Sequence, residues 1–144
     1  MEDKNEVTMS FDSYSVNEGF ARMAAAAFIT ELNPTLDEIE DVKTAVSEAV
    51  TNAIIHGYDG VIGKVHMSLS RSGNELSVVI WDSGVGIADV EKAKQPFFTT
   101  KPELERSGMG FSFMEAFMDW VEVESAPGEG TRVCMRKKLG VKEV

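Results

Sequence analysis

Glu48 and Asn52 stand four residues apart in the run Ser47-Glu48-Ala49-Val50-Thr51-Asn52, so on a helix they share one face. The carboxylate can accept a proton from an attacking hydroxyl or water, and the carboxamide offers a neutral oxygen to a hard cation such as Mg2+. Three glycine-bearing turns follow in order: Asp82-Ser83-Gly84-Val85-Gly86, Ser107-Gly108-Met109-Gly110 and Gly128-Glu129-Gly130-Thr131. Lacking a Cβ, such turns let backbone come close to a nucleotide. Each motif alone recurs in unrelated proteins. The ordered set describes a site for ATP with its metal.

Asp82 follows the apolar run Val78-Val79-Ile80-Trp81 directly, so a rigid strand holds a carboxylate that can accept from the amino group of adenine. The ordinary alternative is a turn aspartate that bonds its own backbone. Gly84 and Gly86 permit close backbone approach, and Ser107 to Gly110 leads into a helix whose first amides attract phosphate. Thr99, Thr100, Lys101 and Arg106 come just before that turn, and either Lys101 or Arg106 could reach phosphate oxygens. Lys92 and Lys94 add to this cluster, but Glu91, Glu103 and Glu105 lie among them, and charge alone favours a mixed, solvated loop. Thr131 opens a strand, where its hydroxyl can help hold adenine. His56, one turn beyond Asn52, invites a catalytic role, although a histidine at a helix end more often caps carbonyls. No GxxxxGK[ST] loop is present, nor a GxGxxG after a strand with its acidic partner. One cysteine, Cys134, with His56 and His66, gives no metal-ligand spacing.

The elements that must position these residues read as α+β, in one domain without repeats or a linker. Residues 7–11 form a strand candidate, and a helix runs from Ser15 to about Leu32, ending before Asn33-Pro34. Thr35-Leu36-Asp37-Glu38 is a capping box that opens a long helix to about His56, with Gly57 as terminator. On that helix Ile39, Val42, Val46, Ala49, Val50 and Ala53 fall on one arc, with Glu48 and Asn52 roughly opposite. Ile55 projects beside them, which suggests a pocket wall instead of a merely solvated face. Residues 62–70 and 75–81 read as paired strands around Arg71-Ser72-Gly73-Asn74, and the second, lacking alternation, as central and covered on both faces. Residues 96–107 are polar, without period, and are expected to act as a mobile lid. A helix over 111–118 and a hairpin of 120–125 with 131–138 complete the chain, so helices pack on one sheet with the glycine turns at its edge.

The chain has 144 residues, 43% hydrophobic and 26% charged, enough for a core and too ordered in composition for wholesale disorder. Its formal net charge of −10 argues against sequence-independent nucleic acid binding and against anionic membrane surfaces, and favours basic protein partners. The longest apolar run, residues 23–29, is far shorter than the roughly 20 residues of a membrane span. An acidic, polar N-terminus and a single cysteine suit a cytoplasmic protein.

This succession resembles the GHKL ATPase/kinase superfamily, of gyrase, Hsp90, histidine kinases and MutL. Glu48 and Asn52 match its N box, Asp82 to Gly86 its first glycine box, Ser107 to Gly110 its second, Gly128 to Thr131 its last, and residues 97–101 its lid. The match spans nearly the whole chain. Asn17-Glu18-Gly19-Phe20-Ala21-Arg22, residues 47–58 and residues 95–111 are most similar to its small serine-kinase branch, the anti-sigma factors of endospore-forming bacteria.

The resemblance implies a two-layer α/β sandwich of the Bergerat type, with a mixed sheet covered by helices. It implies a homodimer that sequesters a sigma factor, of the sporulation sigma F kind, and phosphorylates a serine on an anti-anti-sigma partner. Glu48 is then the general base, Asn52 the Mg2+ ligand, and Asp82 the adenine anchor with help from Thr131. Gly84, Gly86, Gly108 and Gly110 shape the pocket, with Thr99, Lys101, Arg106, Ser107 and Met109 around the phosphates.

The competing reading is a nucleotide-gated sigma-binding module with negligible transfer, which has no need of a base at Glu48. A third, a histidine-kinase ATP domain, requires a partner histidine that this chain lacks. On the first long helix Val16, Phe20, Met23, Ala24 and Ala27 are expected to pack on the domain. Glu18 and Arg22 then share a docking face with Ala25, Ala26 and Ile29.

Overall fold

The computed structural model describes residues 3–58, 60–95 and 110–140. Five strands form one sheet in the order β1-β2-β3-β5-β4: β1 (Lys4–Asp12), β2 (Lys64–Ser72), β3 (Glu75–Asp82), β4 (Trp120–Ser125) and β5 (Thr131–Lys138). Among the described residues, four α-helices accompany them: α1 (Val16–Ile29), α2 (Leu36–Asn52), the short α3 (Val90–Ala93) and α4 (Gly110–Phe117).

Every ladder is antiparallel, where a mixed sheet was expected. The reason is topological. β3 and β4 run in the same direction, but β5 inserts between them and pairs antiparallel with both. The two hairpins match the sequence reading closely, and Ser72 pairs with Glu75 across a two-residue turn, Gly73-Asn74.

The core lies between the sheet and α1, α2 and α4. Val65, Met67 and Leu69 of β2, Leu76, Val78 and Ile80 of β3, and Val133 and Met135 of β5 alternate inward and are buried. From the helices, Val42, Val46 and Val50 of α2 and Met114 of α4 meet them. This alternation corrects the expectation for β3: the strand is central but covered on one face only. Val79 and Trp81 point to the other face and stay half-exposed, and His66 stacks on Trp81 with ring centroids 5.1 Å apart.

The facing of α1 also departs from the expected one, although Ala24 packs against the core as expected. Ala21, Ala25 and Ile29 are fully buried, while Val16, Phe20 and Met23 are 80%, 63% and 58% exposed. Two alanines on the inner face let the α1 backbone approach α2 closely. Larger side chains there would hold the helices apart.

Candidate active site

Thr35 accepts from the Glu38 amide at 3.1 Å, and Glu38 Oε1 accepts from the Thr35 amide at 2.8 Å, so the predicted capping box starts α2. One face of α2 then buries Val42, Ala45, Val46, Ala49 and Val50. The opposite face leaves Glu48 and Asn52 half-buried. Glu48 Oε2 lies against the first residue of α4: a Cβ on Gly110 would stand 3.3 Å from it. α2 ends at Asn52 and widens into a π turn, Ala53–Gly57. Such turns cluster at functional sites, and this one carries the chain from Asn52 to the end of β3.

There the Asp82 side chain points inward and is 6% exposed. Its Oδ1 accepts from the Gly84 amide at 2.8 Å, and the Thr131 amide also donates to the carboxylate. Burial pushes the Asp82 carboxyl above its ordinary pKa, and the two amides only partly offset this. A buried acceptor at a sheet edge, held by backbone on two sides, suits an N–H donor such as the amino group of adenine.

Gly57 is part of this wall. Its φ is not left-handed, so it does not act as the αL terminator the sequence suggested. A side chain there would start 2.9 Å from Asp82 Oδ1. Gly84 packs so closely on Gly57 that an added Cβ would overlap the Gly57 carbonyl oxygen, and the next amide, Val85, donates to that oxygen at 2.7 Å. Gly86 lies against Ala126 of the β4–β5 turn, and the Gly128 amide of the same turn donates to the Val85 carbonyl at 2.7 Å.

Two hydroxyls that the sequence reading missed hold this loop from either side. Tyr58 Oη accepts from the Ser83 amide at 2.9 Å and donates to the Lys64 carbonyl. Ser125 Oγ accepts from the Ile87 amide at 2.7 Å, donates to the Gly130 carbonyl at 2.7 Å and meets Thr131 Oγ1 at 2.9 Å. The only sequence signal for Ser125 was its register opposite Thr131 in the predicted hairpin. An open groove of about 390 Å3 borders these residues, lined among others by Trp81, Asp82, Ser125 and Thr131.

Thr99, Lys101, Arg106, Ser107, Gly108 and Met109, and the expected lid over 96–107, lie outside the described residues. Lys94 pairs at 3.9 Å with Glu115 of α4. Among the described residues, no group of three or more His, Cys, Asp and Glu side chains is gathered to hold a metal. A single carboxamide at Asn52 fits Mg2+, which keeps waters and phosphate oxygens in its shell and needs no all-protein cage. The glycine contacts at 57 and 84 and the buried acceptor at 82 fit a nucleotide base.

Residues 14–137 match the family model described as histidine kinase-like ATPase domain. An anti-sigma F factor of Clostridium kluyveri is 55% identical over 133 residues, covering 92% of this chain and 94% of that protein. The anti-sigma F factor of Bacillus subtilis strain 168 is 53% identical over 137 residues, 94% of each chain. The chain belongs to the anti-sigma F factor family. The fold agrees with the histidine kinase-like ATPase domain that the family model describes, a nucleotide-binding type. The RsbU and RsbW domains of a Mycobacterium tuberculosis protein superpose with a TM-score of 0.66 at 18% identity, over 94% of this chain and 32% of that one. The catalytic domain of histidine kinase ThkA superposes with a TM-score of 0.55 at 19% identity, over 92% and 97%. Among the described residues, no helix is long and apolar enough to cross a membrane.

Proposed function

We propose that this anti-sigma F factor relative is a cytoplasmic, ATP-dependent protein serine kinase that also sequesters a sporulation sigma factor and phosphorylates a serine on an anti-anti-sigma partner. The observation that carries the reading is the position of Glu48. It is a half-buried carboxylate on α2, set against the first residue of α4, where the second glycine motif ends. A module that only binds nucleotide has no use for a base there.

Asp82 and Thr131 orient the adenine, and Gly84 and Gly86 keep the pocket wall thin. Asn52 would hold Mg2+ through its carboxamide oxygen. When bound, the metal supplies charge neutralisation to phosphate oxygens. Glu48 takes the proton from the attacking serine hydroxyl as that oxygen bonds to the terminal phosphorus and ADP departs. Positioning and charge, not a covalent enzyme intermediate, supply the rate. Ser107, Gly108, Met109 and Gly110, with Thr99, Lys101 and Arg106, enclose the phosphates.

Partner binding belongs to α1. Arg22 Nε is 3.1 Å from Glu18 Oε1, and Val16, Phe20 and Met23 turn outward on the same helix. An arginine beside exposed apolar side chains has the composition of a binding hot spot. A protein of net charge −10 favours basic surfaces on its partners. The protein acts as a homodimer.

The test is incubation with γ-labelled ATP, Mg2+ and the anti-anti-sigma partner. The expected product is a phosphoprotein stable to acid and labile to strong base, as a serine ester is. Label that is lost in acid would indicate a phosphohistidine, and absence of label with full sigma binding would leave only a gated binding module.

A further inference from the structure

The hydroxyl of Ser125 lies in no recognised motif, yet its hydrogen bonds determine what Thr131 can offer a ligand. Ser125 Oγ has one proton and two lone pairs. The Gly130 carbonyl can only accept, so the Ser125 proton goes to it, at 2.7 Å. The Ile87 amide can only donate, and it occupies one lone pair at 2.7 Å. Thr131 Oγ1, 2.9 Å away, must therefore donate its own proton to the remaining lone pair. With that proton committed, Thr131 presents only acceptor lone pairs. Beside it stands the Asp82 carboxylate, also an acceptor.

We propose that Ser125 is a specificity-determining positioning residue: it orients the Thr131 hydroxyl so that the base site offers acceptors alone and selects a purine with an amino group over one with a carbonyl at the same carbon. The inference rests on the reading of Asp82 and Thr131 as the base site. At the 6-position a 6-oxopurine sets a carbonyl oxygen, an acceptor, against two acceptors, and the proton it carries sits on the neighbouring N1 and not where the amino hydrogens stand. Without Ser125 the Thr131 hydroxyl is free to turn and donate, and the oxo base is then tolerated. Ser125 also bonds the Ile87 amide, so its removal loosens the loop; selectivity separates the two effects. Tyr58, whose hydroxyl holds the same loop through the Ser83 amide and bonds the Lys64 carbonyl, not Asp82 or Thr131, is the control for loosening alone.

The experiment measures Kd by calorimetry for ATP and for inosine triphosphate, which has a 6-oxo group in place of the amino group and a proton on N1. The proteins are the parent, Ser125→Ala, Ser125→Thr, Tyr58→Phe and Asp82→Asn. Ser125→Ala should narrow the preference for ATP by about five- to tenfold, the worth of roughly one hydrogen bond. Ser125→Thr should retain the parental ratio, and Tyr58→Phe should weaken both ligands alike. Ser125→Cys, similar in size with poor hydrogen bonding, replaces the alanine variant if that does not fold. In the free protein the Ile87 amide should exchange slowly in the parent and fast in Ser125→Ala. A parental ATP preference in Ser125→Ala, with Asp82→Asn having lost it, would overturn the role of Ser125 while sparing the base site. A preference that survives Asp82→Asn would overturn the base site and this inference with it.

Discussion

Gly84→Ala places one methyl where the structure has no room for it. The added Cβ would overlap the Gly57 carbonyl oxygen and stand 2.9 Å from Asp82 Oδ1. The first of these neighbours is backbone, so no side-chain rotation relieves the collision. Either the loop after β3 or the π turn after α2 must move, and the 2.7 Å bond from the Val85 amide to Gly57 breaks. Overpacking of this kind costs about 1–3 kcal/mol, and the lost hydrogen bond about 1 more. A total near 3 kcal/mol lowers the melting temperature by roughly 6–12 °C in a protein of this size. Because the moving parts carry Asp82 and Asn52, ATP affinity should fall at least about tenfold. Gly128→Ala is the matched control. Its φ is 78° but nothing lies within 4 Å of the added Cβ, so only the left-handed backbone term applies, about 1–2 kcal/mol. Differential scanning calorimetry and ATP titration decide the matter. A Gly84→Ala protein that melts within about 2 °C of the parent and binds ATP within twofold would refute the close-packed wall.

Asn52→Ala should weaken binding of Mg·ATP more than binding of metal-free ATP, and equal losses in titrations with and without Mg2+ would remove the metal assignment. For Asp82 the sign follows from its raised folded-state pKa. Its contribution to folding is present below the ordinary carboxylate range and is lost as pH rises through the raised value. Asp82→Asn should thus gain stability relative to the parent with rising pH, while parental ATP affinity falls on acidification; melting and ATP titration across pH 4–7 check both. Arg22→Ala and Phe20→Ala should each weaken binding of the sigma factor and the anti-anti-sigma partner about tenfold or more, with ATP affinity unchanged. Calorimetry with each partner checks this, and full affinity for both would place the interface elsewhere.

Local signals were legible where one residue's chemistry determines the outcome. Thr35 and Glu38 announced the start of α2, the apolar arc from Ile39 to Ala53 announced its buried face, and the two hairpins followed from their turns. The facing of α1 was not legible, because Phe20 and Met23 carry a strong hydrophobic signal and Ala21 and Ala25 a weak one. Close approach of α1 to α2 favours the small residues, and no periodicity records how near a neighbouring helix lies. The direction of the sheet was hidden because it depends on β5 inserting between strands that are not adjacent in sequence. Glu48, Asn52 and Asp82 were named as candidates from residue type and spacing. Tyr58 and Ser125 were not, since they act through backbone groups of distant residues and leave no motif.

The central claim is that Glu48 serves as a base for transfer of phosphate to a serine, and single-turnover phosphorylation by Glu48→Gln tests it most directly. The amide keeps the shape at the start of α4 but cannot take a proton. ATP should bind with near-parental affinity, and labelled phosphate should reach the partner serine about 10²–10⁴-fold more slowly. Transfer at the parental rate by a variant that binds ATP normally would contradict the account.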